Sequence, residues 1–534
     1  MSPTTATASR PGRSEAQRAR FVLVGGSVFV VALALYVRTL LPDVGTWDTA
    51  EFQAIGPVLG IAHPTGYPTY TLLAWLASVV LQPFGNEAYR ADLLSALLMA
   101  GAAALATLAT MQLTRRWLIS VVAGLAFAIT PIAWRVGVRA DPHALHVFLA
   151  ALMLVLLITW MQRQRAAAAG TASRPAGRWL VAATVVFGLS LGNHALTLLL
   201  APGIALFVLL VEPRIMWRQW RLVLLCLTAL TLTTAAVYAY LPIRSAMDPP
   251  LDYASPRTWE SFWYVVLGQQ FQGSFRGLPP LAEMVAGIWD ELVRNLGPVI
   301  KLVPAGAVLG AIRHWRIVTL TGLWFVSTWV FALGYPNAII ERYYLVPLLV
   351  ARIWVALAAD YAWDKLRDLL HTFGVEERGW ADYSLGAVLA VVLLSGTVAA
   401  IPDRLGRLDA SGSTFGRDWL EATFAALEPN AAVVSWWSYS TPLWYGRWVE
   451  GRRDDIVIID DRDVLDDGYG TAEEAVEHFL GKRPVYVIRL ERDLLRLREL
   501  YRLERVETVP SPGDLYRVLG RRNRTSARQH RIGA

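Results

Sequence analysis

The sequence predicts a polytopic membrane protein, mainly α-helical, with a small α/β domain near its C-terminus. Hydrophobic residues make up 55% of the 534 residues and charged residues only 17%, whereas soluble domains carry about a quarter charged residues. Apolar runs close to the length that crosses a bilayer recur between residues 21 and 402. After residue 402, polar helical stretches alternate with short apolar runs that are typical of strands.

The first element is a basic segment, residues 1–20, with four Arg and one Glu. An uncharged apolar run follows at 21–37. This arrangement resembles a signal peptide. Because many more apolar runs follow, we interpret it as an uncleaved first span, and the Arg residues predict a cytoplasmic N-terminus.

A transmembrane domain is predicted over residues 21–402, with about 11–12 spans. After the first, the apolar runs lie near 69–84, 91–113, 118–138, 144–162, 179–192, 195–211, 221–243, 292–312, 317–335, 343–362 and 384–402. The basic or mixed loops between them are predicted on the cytoplasmic side. If 69–84 crossed fully, Arg115 and Arg116 would fall outside, so we expect that run to be re-entrant or to lie on the membrane surface.

An α/β domain is predicted over residues 403–520. Its strand-like runs are 432–436, 455–460 and 484–489. The parity of the spans predicts that this domain is extracytoplasmic. Residues 521–534 hold five Arg and no acidic residue, and we expect a disordered basic tail.

The charge pattern and the missing motifs exclude several classes of function. The net charge is +7, but the Arg clusters flank apolar runs, so membrane topology explains them and no nucleic-acid partner is predicted. The single Cys226 excludes a disulfide framework and a cysteine-based metal site. Neither a GxxxxGK[ST] loop nor a strand–GxGxxG–helix unit occurs, so a soluble nucleotide donor lacks its expected site.

The loop after the first span, residues 42–68, holds the most informative residues. Asp48 and Glu51 are three apart and share a face if helical, and His63 and Tyr67 follow among Pro and Gly residues that enforce a non-helical path. A carboxylate here can act as a general base on a hydroxyl. The alternative is a solvated loop with a helix N-cap, but a cap does not explain the His-Pro-Thr-Gly-Tyr-Pro run.

Four other loops on the same predicted side carry polar side chains. These side chains are Asp141, His143, Asn193, His194, Arg244, Glu341, Arg342 and Tyr343. Each alone has an ordinary structural explanation as a helix end or a snorkelling side chain, but together they predict a polar cavity at one face of the membrane. The two Arg are suited to a phosphate, and His194 is expected to help hold it. The His/Asp spacing matches no metal signature, so no metal ligands are assigned, and a divalent ion stays an open alternative.

These residues resemble a family of bacterial and eukaryotic membrane proteins that includes the vertebrate plexin-type protein O-mannosyltransferase. The resemblance is carried by Trp47-Asp48-Thr-Ala-Glu51-Phe, Gly60-Ile-Ala-His63-Pro-Thr-Gly66-Tyr67-Pro68, Arg90-Ala-Asp-Leu-Leu-Ser-Ala, Ala140-Asp141-Pro-His-Ala-Leu-His146, Gly188-Leu-Ser-Leu-Gly-Asn193-His194, Tyr240-Leu-Pro-Ile-Arg244, Glu341-Arg342-Tyr343-Tyr344 and Thr441-Pro-Leu-Trp-Tyr445. That family is similar to C-type glycosyltransferases, multi-span enzymes that use a polyprenyl-phosphate sugar.

The resemblance implies a fold, a donor and roles for two acidic residues. Asp48 would be the catalytic acidic residue, Asp141 a second acid near the site, and mannose on a polyprenyl phosphate the suggested donor. The first loop of relatives often reads Gly-Asp-Ser-Gly-Glu, and their second acid is often Glu. These departures bear on the identity of the acceptor, either a protein or a cell-envelope glycan, more than on the type of reaction. Trp436-Trp437 echoes the Trp-Trp-Asp motif of oligosaccharyltransferases, but the Asp is missing and we attribute the likeness to chance.

We therefore expect an integral-membrane glycosyltransferase of the cell membrane with its active site on the outer face. Asp48 is predicted to be the base, and Glu51, His63 and Tyr67 to shape the sugar pocket. The main alternative is a multi-span transporter or lipid flippase, since intramembrane polar groups also suit transport. The clustering of polar residues at one face, and the lack of a repeated pair of broken segments, favour the enzyme. A receptor or scaffold would leave the first-loop motif unexplained.

Overall fold

Long apolar helices form most of the molecule, as predicted, because a helix satisfies its backbone hydrogen bonds internally in an apolar solvent. The computed structural model describes residues 13–170, 176–335, 339–373, 379–461 and 468–522. Most of the predicted basic N-terminus and nearly all of the predicted basic tail lie outside the described residues.

The helices follow one another along the chain, and the connections at 56–67 and 246–258 are among the longer ones. They are α1 (Arg13–Arg38), α2 (Trp47–Ile55), α3 (Pro68–Val80), α4 (Glu87–Thr114), α5 (Trp117–Ala128), α6 (Pro131–Gly137), α7 (Pro142–Ala168), α8 (Gly177–Leu191), α9 (Ala201–Val211), α10 (Ile215–Arg218), α11 (Trp220–Tyr238), α12 (Tyr240–Ser245), α13 (Trp259–Val266), α14 (Gln269–Gln272), α15 (Leu281–Leu296), α16 (Leu302–Gly334), α17 (Leu345–Thr372), α18 (Gly379–Ala399), α19 (Ile401–Leu408), α20 (Phe415–Ala426), α21 (Trp437–Trp444), α22 (Ala472–Phe479) and α23 (Glu491–Leu500). Short 3-10 helices cover Ala195–Leu200, Gly297–Lys301 and Ile340–Tyr344.

The number of long apolar helices is lower than the 11–12 spans predicted. Among the described residues, seven helical stretches are long and apolar enough to cross a membrane, or eight if the bent pair α5–α6 is one span. The run at 179–211 is broken at Gly192, and α8 and α9 on either side of the break are both short. The runs at 292–312 and 317–335 belong to one 54-residue helical stretch with a kink at His314.

α3 confirms that the run at 69–84 is too short for an ordinary crossing. It has 13 residues, which at about 1.5 Å per residue gives roughly 20 Å, less than the ~30 Å hydrocarbon core.

α4, α7 and α17 form the centre of the bundle and are buried on most sides. α4 packs against α1, α5 and α7, and α17 against α16. Small residues allow close contact between these helices. A Cβ at Gly306 of α16 would lie 1.9 Å from the carbonyl oxygen of Trp354 in α17, so only glycine fits there.

The C-terminal part contains a five-stranded mixed sheet. Its strands are β1 (Ala432–Ser435), β2 (Val457–Ile459), β3 (Val485–Ile488), β4 (Tyr501–Arg505) and β5 (Tyr516–Arg521). Their order is β2-β1-β3-β5-β4. β1 pairs in parallel with β2 and β3, and β5 pairs antiparallel with β3 and β4. The three predicted strand-like runs became β1, β2 and β3.

The sheet region packs on the loop after α1. Gly416 at the start of α20 lies so close to this loop that a Cβ would come within 2.1 Å of the carbonyl oxygen of Val44. Arg417 donates to Asp43 at 2.7 Å and 3.0 Å, and Thr441 donates to the carbonyl oxygen of Trp47 at 2.8 Å. The first loop is therefore held between the bundle and the sheet region.

Candidate active site

α2 carries Asp48 into the interior of the site. Asp48 lies in the first turn of this helix, where a negative charge is favoured by the helix dipole. Trp47 at the start of α2 has a φ of 59°, and Tyr67 before α3 has a φ of 47°. Left-handed backbone at residues other than glycine is uncommon and clusters at functional sites. Both residues also line the large cavity described below.

Arg342 binds two carboxylates that lie far apart in sequence. Its Nη2 donates to Asp48 Oδ2 at 2.8 Å and its Nη1 to Asp141 Oδ2 at 3.1 Å. Asp141 is the N-cap of α7 and accepts from the backbone N–H of His143 at 2.8 Å. Trp437 Nε1 lies 3.4 Å from the other oxygen of Asp48. The guanidinium thus fixes the spacing of the two predicted acids.

A second polar pair lies beside the first. Glu51 Oε2 is 2.5 Å from Nδ1 of His63 and Glu51 Oε1 accepts from its backbone N–H at 2.9 Å. Tyr67 OH is 3.4 Å from Nε2 of the same imidazole. Glu51 is 1% exposed, so it holds the His63 ring from behind and does not itself line a cavity.

Three imidazoles and a phenol form a buried cluster next to Arg342. His194 Nδ1 accepts from the backbone N–H of Leu196 at 3.1 Å, which leaves Nε2 to carry the proton. His143 Nδ1 is 2.8 Å from Asp141 Oδ1, and its Nε2 has no hydrogen-bond partner among the described residues. The His143 and His194 rings are 4.8 Å apart, and Tyr343 stacks on His143 at 5.3 Å. His146 lies 6.1 Å from His194.

The larger of two cavities has a volume of about 810 Å³ and opens beside this cluster. Its polar wall contains Asp48, His63, His143, His194 and Arg342. The remaining wall is mainly aromatic and aliphatic. It includes Phe52, Leu196, Leu198, Leu199, Leu267, Phe271, Phe275, Phe331, Tyr335, Trp436 and Trp437.

The smaller cavity has a volume of about 420 Å³ and a charged wall. Its charged side chains are Asp48, Arg135, Arg139, Asp141, Glu341 and Arg342. Trp47, Asp48, Ile339 and Arg342 line both cavities. The ion pair of Asp48 with Arg342 therefore forms part of the partition between the two cavities.

The charges around Asp48 and His63 shift their pKa values in opposite directions. Burial raises the pKa of Asp48, but the positive charges of His63 and Arg342 outweigh it, so the pKa lies below its ordinary value. Burial lowers the pKa of His63, but Glu51 outweighs it, so the pKa lies above its ordinary value. Asp48 is ionised at neutral pH and can accept a proton.

Most predicted site residues come together, but three have other surroundings. Arg244 donates to the carbonyl oxygens of Leu59 at 2.7 Å and Val58 at 3.1 Å and lines neither cavity. Its predicted phosphate contact therefore finds no support. Asn193 is buried and donates to the carbonyl oxygen of Pro142 at 3.0 Å. Glu341 lines the small cavity and pairs with Arg135 at 2.7 Å.

The sequence interpretation missed residues that the fold brings in from a distance. Trp437, whose motif was attributed to chance, lies against Asp48. Asp92, buried in α4, accepts from the backbone N–H of Ala140 at 2.6 Å and from Gln53 Nε2 at 3.0 Å and 3.1 Å. Asp92 falls within the Arg90-Ala-Asp run quoted above, and that run was the available signal.

Metal ligands were not assigned from the sequence. Across the parts of the chain that the structure describes, no group of three or more His, Cys, Asp or Glu side chains is placed to hold a metal ion.

The fold is that of the C-type glycosyltransferases. ArnT from Cupriavidus metallidurans, solved bound to undecaprenyl phosphate, superposes with a TM-score of 0.55 at 15% identity, covering 94% of this chain and 98% of that one. The archaeal oligosaccharyltransferase AglB from Archaeoglobus fulgidus, solved with an inhibitory peptide and a dolichol-phosphate, superposes with a TM-score of 0.52 at 14% identity. That match covers 93% of this chain and 74% of AglB.

Within that fold, residues 48–216 match the family described as the protein O-mannosyl-transferase TMEM260 N-terminal domain. The mouse (Mus musculus) protein O-mannosyl-transferase TMEM260 is 32% identical over 228 residues, which is 42% of this chain and 30% of the mouse protein. The Dictyostelium discoideum protein tmem260 is 23% identical over 139 residues, 26% of this chain and 17% of that protein. Residues 48–216 of this multi-pass membrane protein are thus similar to the TMEM260 N-terminal domain, and the chain spans less than a third of the length of either relative.

Proposed function

We propose that this protein is an integral-membrane glycosyltransferase that moves a sugar, mannose, from a polyprenyl-phosphate donor to a hydroxyl group of a protein acceptor. The observation that carries the proposal is the position of Asp48. It is an ionised carboxylate on the partition between an apolar cavity and a charged cavity. A general base in that position can reach a hydroxyl on one side and a sugar on the other.

The large cavity is the proposed donor site. A volume of about 810 Å³ falls in the range of small-molecule and cofactor sites. Its aliphatic wall suits the first prenyl units, and its aromatic wall suits the sugar. Arg342, His143 and His194 lie together at its polar end and suit the phosphate. ArnT and AglB were each solved with a polyprenyl phosphate bound.

The small cavity is the proposed acceptor site. It lies across Asp48 from the donor cavity and has a charged wall, which suits a polar peptide segment better than a lipid. The mouse and Dictyostelium relatives are both protein O-mannosyl-transferases by name. A protein acceptor is therefore favoured over a cell-envelope glycan.

The proposed reaction is a single displacement at the anomeric carbon. The acceptor oxygen forms a bond to this carbon while the bond from the carbon to the phosphate oxygen breaks. Asp48 takes the hydroxyl proton, and the configuration at the anomeric carbon inverts. The phosphate gains one negative charge as it leaves. Arg342 is placed to stabilise that charge more strongly in the transition state than in the bound donor.

The roles of the C-terminal region and the side of the membrane also belong to this proposal. Residues 403–520 would form a domain that helps to enclose the donor, since Trp436, Trp437 and Asp461 line the donor cavity. Both cavities are lined from the same end of the bundle, which argues for a one-sided site over a transport path. We assign this end to the extracytoplasmic face of the plasma membrane, because the basic start of α1 lies at the opposite end.

The test is sugar transfer by the purified full chain in lipid, with labelled polyprenyl-phosphate mannose and a membrane extract as acceptor. Label should move to protein, and Asp48→Asn should lower the rate by about 100-fold or more. Asp368→Asn is the matched control, since Asp368 is 61% exposed at the far end of α17. Wild-type transfer by a folded Asp48→Asn variant would overturn the proposed base. No transfer and no hydrolysis of any lipid-linked sugar would favour the transporter.

A further inference from the structure

The small cavity contains one guanidinium that no carboxylate neutralises. Asp48 pairs with Arg342, Asp141 with Arg342 and His143, and Glu341 with Arg135. Arg139 lines the same cavity but makes no hydrogen bond or ion pair to any residue that the structure describes.

The backbone that presents Arg139 is firmly held. The next residue, Ala140, donates its N–H to Asp92 at 2.6 Å, and Asp141 donates its N–H to Ser95 Oγ at 3.1 Å. Both acceptors belong to the central helix α4. Arg139 is therefore displayed at a fixed point of the cavity wall.

The electrostatic surroundings of Arg139 favour an added anion. The Arg139 side chain is exposed, so a ligand in the cavity can reach it. Desolvation at the cavity wall lowers its pKa, the like charge of Arg135 lowers it further, and Asp92 and Asp141 only partly compensate. An accessible guanidinium that lines a cavity without a carboxylate partner can bind an incoming carboxylate through two parallel hydrogen bonds.

We propose that Arg139 binds an acidic side chain of the acceptor, so that the preferred acceptor is a peptide with Asp or Glu close to the modified Ser or Thr. A sphere of about 420 Å³, the volume of this open cavity, is about 9 Å across, and consecutive Cα atoms are about 3.8 Å apart. The acidic residue is therefore placed one or two positions from the hydroxyl. The inference rests on the proposed function, because it assigns the small cavity to a protein acceptor.

The test compares two degenerate Ser/Thr peptide libraries that differ only by Asp or Asn at the flanking positions. Each library carries an uncharged dye, and its binding to the full chain in zwitterionic nanodiscs is measured by fluorescence polarisation. Sugar transfer to each library is measured separately. We expect the Asp library to bind about three- to fivefold more tightly, the size of one ion pair that remains open to solvent.

Three variants separate a carboxylate subsite from a general charge effect. Arg139→Gln should bring the ratio of the two affinities close to one, and Arg139→Lys should restore part of it. Arg163→Gln removes an exposed positive charge at the far end of α7 and should leave the ratio unchanged.

Equal binding of the two libraries, or a preference that survives Arg139→Gln, would overturn the inference. Equal binding of the two libraries, together with weaker retention of labelled anionic lipid by the purified Arg139→Gln variant than by the wild type, would reassign Arg139 to lipid phosphates. A preference in binding without sugar transfer to either library would support the subsite and contradict the proposed transfer to protein.

Discussion

Arg342 couples the two acids of the site, so a change at one acid should alter the other. Asp141→Asn keeps an N-cap acceptor for α7 but removes a negative charge that raises the pKa of Asp48. It also leaves Arg342 to pair with Asp48 alone. We expect the acid limb of the pH–rate profile to move to lower pH and kcat to fall by about tenfold, since a more acidic carboxylate is a weaker base. Movement of the limb to higher pH would contradict this electrostatic coupling.

His63 and Glu51 predict a pH-dependent contribution to stability. The pKa of His63 lies above its ordinary value of 6.5 in the folded protein because of Glu51. The stabilisation from its proton is therefore fully present below about pH 6.5 and is lost as pH rises through the folded-state pKa. The melting temperature of the wild type should exceed that of Glu51→Gln by more at pH 5.5 than at pH 9.

A thermal-unfolding series of the two proteins in one lipid mixture would measure this difference. Glu283→Gln, in the first turn of α15, serves as the control for loss of one carboxylate. A gap between wild type and Glu51→Gln that widens with rising pH would show that His63 is neutral when folded.

At the scale of elements, Asp92 ties α4 to α2 and to the turn before α7. Asp92→Asn would place an amide donor against Gln53 Nε2, which is also a donor. The Gln53 side-chain amide cannot rotate by 180° to present its oxygen, because Oε1 already accepts from the Gly45 N–H at 2.9 Å. We expect a loss of about 1–3 kcal/mol in the free energy of unfolding. We also expect a lower kcat, because Asp92 holds the segments that carry Asp48 and Asp141 and both side chains would change position.

The double variant Gln53→Glu/Asp92→Asn should recover most of that loss, because it restores a donor facing an acceptor. Chemical denaturation and transfer assays of the two single variants and the double variant would measure the coupling. Strictly additive losses would show that the contact between these side chains is not what holds the elements together.

The sequence predicted elements best where one strong periodic signal decided the structure. The apolar strand runs gave β1, β2 and β3, whereas β4 and β5 were missed because their sequences, YRLER and YRVLGR, are rich in arginine. The bend of 67° between α5 and α6 was also missed. The nearby Pro131 is a local signal, but Arg352 and Arg404, which donate to Thr130 and the Ile129 carbonyl, come from more than 200 residues later.

At the scale of the whole molecule, the first loop and the sheet region lie at one end of the bundle, and the far ends of α7 and α17 lie at the other. α7 has 27 residues and is about 40 Å long, enough to separate the two sides of a membrane. In a Cys226→Ala background, Arg492→Cys should react with a membrane-impermeant maleimide in intact cells. Lys365→Cys should react only after permeabilisation.

Both positions suit this labelling experiment because they are open to solvent. The side chain of Arg492 is 85% exposed and that of Lys365 is 60% exposed. The reverse labelling pattern would place the site in the cytoplasm and contradict the proposed location.

The site as a whole could be predicted only in part from the sequence. Local motifs pointed to Asp48, Asp141 and Arg342, because ionisable groups are rare at a membrane boundary. Their pairing could not be read from the motifs, since Arg342 lies 294 residues from Asp48 and Trp437 lies 389 residues from it. The sequence also could not show that Arg244 donates to the carbonyl oxygens of Leu59 and Val58, because a guanidinium serves a backbone carbonyl as readily as a phosphate.

The partition between the cavities also implies an order of events. While Arg342 is bound to Asp48 and Asp141, the ion pair makes Asp48 a weaker base towards an acceptor that arrives first. A donor phosphate competes for the same guanidinium and so releases the base. We therefore expect the donor to bind before the acceptor, and the lipid-phosphate product to compete with the donor alone. The same guanidinium thus restrains the base until the donor binds and then stabilises the leaving phosphate.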